Sequence, residues 1–145
     1  MDAHAGRLPL ANIWIAFITF SLAAAMGLFQ VVERSGLFPA LQVPEWYFRS
    51  VSSHGVIMGF VLTTFFIMGF GYWIARSSLK IPLWGGEGLG WLAFLISLGG
   101  TVAAAVMLFT GHASVMYTFY PPLKAHPVFY IGATLLVVGS WVWCL

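Results

Sequence analysis

With 145 residues, 61% of them hydrophobic and only 7% charged, the chain has too little charge to cover a soluble domain and reads as an integral membrane protein. Its formal charge of +2 is spread without a basic cluster, which excludes nucleic acid as a partner. A single cysteine, Cys144, excludes an internal disulfide and a cysteine-rich metal cluster. With no Cys-x-x-Cys-His motif, a covalently attached c-type heme is excluded as well.

Four apolar segments follow one another, each near the roughly 20 helical residues that cross a 30 Å hydrocarbon core. Lipid offers backbone polar groups no partner, and no alternating strand pattern competes, so each segment is expected to be a helix. The expected fold is all-α: a single transmembrane domain over residues 1–145, built as a four-helix bundle. After the lead-in "MDAHAGRLPLAN", the first helix is expected over about residues 11–32. Its apolar run continues past the "AAA" at 23–25, which favours a retained helix over a cleaved signal peptide. Glu33 and Glu45 fall in the next connection and read as solvated. The second helix is expected over about 50–74, the third over 88–110 and the fourth over 127–145, with Pro127 in a first-turn position where its missing N–H costs nothing. The fourth segment stops at "GSWVWCL" without a polar flank, so the chain reads as the front part of something longer, or as an unusually short protein. Arg7, Arg76 and Lys80 fall on one side, and Arg34, Arg49 and Lys124 on the other. This tie leaves orientation open.

The second segment, "RSVSSHGVIMGFVLTTFFIMGF", carries a histidine, His54, about 6–8 Å inside its expected start at 1.5 Å per residue. Ionisable groups inside membrane segments are rare and mark ligand or ion sites. Met58, Val61, Phe65, Met68 and Tyr72 come after it at helical spacing, beside a face of small residues, Gly55 and Gly59 with Thr63. Neutral imidazole is a good axial ligand for heme iron, and the Met, Val and Phe stripe would make a wall for a porphyrin. The plainer alternative is that His54 hydrogen-bonds a neighbouring helix or water, with the glycines serving packing alone. His4 lies in the lead-in, and His112 and His126 flank the third connection, where interfacial solvation suffices. Lys124 reads as a snorkelling side chain. In "YTFYPPLKAHPVFY", Pro121-Pro122 bars a helix. Tyr130 suits an interfacial aromatic belt, and Tyr117 and Tyr120 suit either that belt or a rigid lid on the His54 side.

Two motifs taken together, "SSHGVIMGFVLTTFF" and "YTFYPPLKAHPVFYIGA", are separated by one helix and preceded by "MGLFQ" at the end of the first. In this the chain resembles subunit I of the heme-copper oxidases, most closely the type-B cytochrome c oxidases, over the first four of that family's twelve helices. The resemblance implies that His54 is one of two axial histidines of a low-spin heme, of b type, and so both cofactor-binding and metal-ligating. It implies that Tyr117 and Tyr120 belong to the cofactor-binding loop above the hemes, with Tyr117 near the route of oxygen. It also implies a prokaryotic plasma membrane with the N-terminus cytoplasmic and His54 toward the outside. The implied partners are membrane lipid, the remaining helices of subunit I, a copper-bearing subunit II, and cytochrome c as electron donor. A second heme, the copper and the proton path are expected only in the complete enzyme, on later helices, so no catalytic residue is assigned here. The implied role is to help hold the low-spin heme in electron transfer from cytochrome c to oxygen, coupled to proton movement in the complete enzyme, with this chain inactive by itself. Two alternatives stay open: a self-contained four-helix membrane cytochrome without oxygen chemistry, and a structural or assembly module.

Overall fold

In the computed structural model, residues 6–80, 84–114 and 121–145 are described, and their regular structure is helical apart from one isolated bridge between Ala113 and Ala125. The helices are α1 (Arg7–Arg34), α2 (Pro44–Ser77), α3 (Gly86–Phe109) and α4 (Pro127–Trp143), with one short 3-10 turn, Pro39–Leu41, before α2. The first three are long and apolar enough to cross a membrane, and α4 is an apolar helix of 17 residues. At 1.5 Å per residue α1 is about 42 Å long, so it overruns a 30 Å hydrocarbon core.

Local chemistry explains where the helices begin. Pro44 and Pro127 each occupy a first-turn position, where a missing N–H breaks no bond. The start of α2 lies six residues before the expected position 50. "PEWYFR" is too polar for a hydropathy argument, but it holds a first-turn proline and acid and an i,i+4 ion pair between Glu45 and Arg49 at 2.5 Å. At the other end, a 2.8 Å ion pair between Arg76 and Glu87 ties the end of α2 to the start of α3.

The exposure pattern is that of a protein whose solvent is lipid. Leu28 and Phe17 are 66% and 58% exposed on α1, whereas Asn12, Ser53 and Ser97 are wholly buried between helices. Neighbouring helices run antiparallel. Along α1 and α2, Gly69 meets Asn12 and Ile13 at one end, and His54 meets Gly27 at the other. A core of Leu8, Ala16, Val61, Phe65, Tyr72, Phe94 and Leu136 joins all four helices. A second cluster, Val56, Ala104, Leu108, Ala113 and Phe129, closes the end nearer His54.

The tightest contact is between α3 and α4. A Cβ added at Gly132 would stand 2.6 Å from the carbonyl oxygen of Gly100, and one added at Gly100 would stand 2.5 Å from that of Gly132. Side chains there would force the two backbones apart.

One irregularity changes how α2 is read. Residues Ile57–Leu62 form a π-helical stretch inside it, which takes up an extra residue and rotates the remainder of the helix relative to a plain α-helix. The expected stripe from His54 therefore does not continue down a single face. Val61, Phe65, Met68 and Tyr72 are buried, and three of them belong to the bundle core against Leu8, Phe94 and Leu136. They pack helices together and do not wall a porphyrin, which corrects the sequence-based expectation.

Candidate functional site

His54 lies eleven residues into α2, about 15 Å from its first residue but only five residues beyond Arg49. The imidazole is half-buried against α1, with Nδ1 2.8 Å from the carbonyl oxygen of Ala23. A carbonyl only accepts, so Nδ1 carries the proton and donates it. Nε2 is then the lone-pair nitrogen, and it has no hydrogen-bond partner among the described residues. This is the state a metal-bound imidazole adopts: one nitrogen tied to a protein acceptor, the other available as a donor to metal. The plainer reading of His54 and the functional one are thus not exclusive. Its hydrogen bond to a neighbouring helix leaves the chemistry of the second nitrogen free.

The space around it is uneven. A Cβ added at Gly59 would meet nothing within 4 Å, and Gly59 and Thr63 are exposed. The small-residue face expected beside His54 is open, as a site for a flat ring or another helix requires. On α1 the contact is close, because a Cβ added at Gly27 would stand 3.2 Å from Cε1 of His54.

The end of the bundle above His54 is polar. Arg49 pairs with Glu45, and its Nη1 donates to the carbonyl of Phe109 at 3.4 Å, placing a cation at the C-terminus of α3. Gly111, with φ of +79°, lies directly under the guanidinium. Between α1 and α2, a groove of about 430 Å³ is lined mainly by Leu22, Met26, Phe29, Trp46 and Phe109, with Ser50 and Ser53 at its base.

Glu33 departs from expectation. It belongs to the last turn of α1 and is only 6% exposed, with Oε2 unpartnered among the described residues. The helix runs on through "VVER", which turns this carboxyl toward the α1–α2 connection instead of into solvent. There it borders a hollow of about 510 Å³ shared with Gln42, Tyr47 and Phe48. Glu45, by contrast, is exposed as expected.

His112 and His126 face one another edge-on with ring centroids 6.5 Å apart, both exposed. Each has a local role. His112 Nδ1 lies 2.9 Å from the Thr110 hydroxyl, and His126 Nδ1 accepts the Val128 N–H at 3.3 Å as the cap of α4. Neither is placed beside His54 by any hydrogen bond or ring contact among the described residues. There, too, no three His, Cys, Asp or Glu side chains converge on a point that could hold a metal ion. Tyr117 and Tyr120 lie outside the described residues, as does His4.

Fold and site define a class: a membrane-embedded bundle of four helices that presents one tethered, tautomer-fixed imidazole. Residues 7–145 match the family model described as cytochrome C and quinol oxidase polypeptide I. The chain belongs to that family. It is 31% identical, over 142 residues, to cytochrome c oxidase subunit 1 of Thermus thermophilus, an alignment covering 94% of this chain and 25% of that protein. It also superposes, with a TM-score of 0.86 and 39% identity, on a chain of a heme-copper terminal oxidase dimer solved by cryo-EM, covering 98% of this chain and 24% of the other. The chain thus spans about a quarter of the length of these relatives.

Proposed function

We propose that this chain is the N-terminal four-helix part of a terminal oxidase subunit I, of the type-B branch, and that its share of the work is to hold a low-spin heme of b type through His54. The observation that carries this reading is the His54–Ala23 hydrogen bond, which leaves Nε2 as the free donor in a chain of this family. The residues present fit such a group on one side. There is an imidazole with the correct tautomer, a glycine against its ring, and open space at Gly59 for a flat macrocycle. When bound, the heme supplies a one-electron iron couple. His54 would donate to the iron, while the Ala23 carbonyl and Gly27 of α1 fix its ring. The second axial ligand, the oxygen-binding heme, the copper and the proton path belong to later helices of the complete enzyme. That enzyme passes electrons from cytochrome c, docked on a copper-bearing subunit II, to oxygen and moves protons. The chain then lies in a prokaryotic plasma membrane with its N-terminus cytoplasmic and His54 toward the outside.

The test is the reduced-minus-oxidised spectrum of the complete enzyme with and without His54→Ala. The low-spin band is expected to vanish while the rest of the complex assembles. A variant that keeps that band would overturn the assignment. Full heme uptake by the isolated four-helix chain, with spectra that depend on His54, would favour the self-contained cytochrome instead.

A further inference from the structure

In an α-helix every Cβ leans toward the N-terminus, so the side chain at position i+4 lies over the carbonyl of position i. On α1 the carbonyl of Ala23 therefore lies beneath position 27. A side chain there would screen it from a lateral partner. Position 27 is the only glycine in the 28 residues of α1, although glycine is the poorest helix former after proline. The room it leaves is filled by the His54 ring. A Cβ added at Gly27 would stand 3.2 Å from Cε1 and 3.5 Å from Nδ1, while Nδ1–H reaches the uncovered carbonyl at 2.8 Å. Ala23 is 0% exposed, so the acceptor end of this part-buried bond lies away from solvent.

We infer that Gly27 is the positioning residue of the His54 site: by lacking a side chain it exposes the Ala23 carbonyl, which fixes the imidazole and lowers the reduction potential of iron bound at Nε2. This rests on the reading of His54 as an axial ligand. The sign comes from the hydrogen bond. Donation from Nδ1–H gives the ring more imidazolate character and makes Nε2 a stronger donor. A stronger donor favours ferric over ferrous iron, so the potential falls. Crowding the ring away from the carbonyl weakens the bond and raises the potential.

The experiment compares wild type, Gly27→Ala, Gly27→Val and the outward-facing Leu28→Ala in the complete, heme-loaded complex. The midpoint potential of the low-spin heme is read by spectroelectrochemical titration, and heme content is read separately. Gly27→Ala is expected to keep its heme and shift the midpoint upward. Gly27→Val shifts it further and loses part of the low-spin band, while Leu28→Ala stays at the wild-type value. His54→Ala runs in parallel, so that a low-spin band surviving without His54 sinks the ligand reading itself. A band that depends on His54, with a Gly27→Ala midpoint equal to wild type, overturns the role of Gly27. Where neither Gly27 variant accumulates in the membrane, pulsed EPR of the wild-type complex labelled with 15N-histidine decides. A protonated axial Nδ1 whose proton resists exchange in D2O is expected, and a deprotonated or freely exchanging one overturns the inference.

Discussion

The α3–α4 contact and the α1–α2 contact solve opposite problems with the same small residue. Between α3 and α4, Gly100 and Gly132 let the two backbones touch, and a Cβ added at Gly139 would strike the Ser97 side chain. Nothing is left over for a ligand. Between α1 and α2, Gly27 makes room for an imidazole, and Gly59 faces open space. Buried polar atoms without partners among the described residues occur on both sides, at Gln30, Glu33 and Ser53 here and at Ser97, Thr101 and Trp143 on α3 and α4, so space, not bonding, is what distinguishes the two. One interface is closed by glycine-to-backbone contact, whereas the other keeps open space at Gly59 that a further group can fill. In a membrane, where helix association depends on packing and not on a hydrophobic drive, this separates the part that holds the bundle from the part that offers a site.

That division can be broken experimentally. The largest effect is expected from Gly132→Leu, which drives a side chain into the Gly100 carbonyl. Overpacking of this kind costs about 3 kcal/mol, and the loss is to be read as a lower unfolding midpoint by tryptophan fluorescence in detergent. His54→Ala should do the reverse, removing the low-spin heme spectrum while costing only about 1 kcal/mol of stability for one hydrogen bond, measured on the same sample. Arg49→Ala removes the cation at the end of α3 and the pair with Glu45, and is expected to cost about 1 kcal/mol or less. Its check is thermal unfolding at low and high salt, with a smaller difference from wild type at high salt. Gly59→Ala is the finest probe. Filling open space in a helix should stabilise the chain by up to about 1 kcal/mol, yet weaken heme retention in detergent washes. If Gly59→Ala improves both, the open face is not where a ring lies.

Much of the fold was legible in the sequence because lipid leaves few choices: runs as apolar as residues 11–32 or 88–110 have to be helices. The ends were less legible, since "PEWYFR" extends α2 through a proline start and an ion pair that hydropathy does not register. His54 could be singled out from its rarity, but its partner could not. The acceptor is the backbone carbonyl of Ala23, which no sequence motif announces. "MGLFQ" was visible as a string, while the meaning of its glycine depends on a residue 27 positions away. Glu33 was misread because two more residues of helix bury its carboxyl against the α1–α2 connection instead of leaving it in solvent. The apolar stripe below His54 was misread because a helical wheel assumes 3.6 residues per turn throughout, and α2 does not keep to it.

That departure has a consequence for how the protein can change. With a wider turn at Ile57–Leu62, α2 is two rods on one axis with independent compass bearings. The upper rod turns His54 to the Ala23 carbonyl and Gly27 of α1, while the lower rod keeps Phe65 and Tyr72 in the core. Deleting a single residue from the wide turn would couple the two, turning one half by about 100° against the other. The irregular turn thus lets a single helix present His54 to α1 and keep Phe65 and Tyr72 in the core at once.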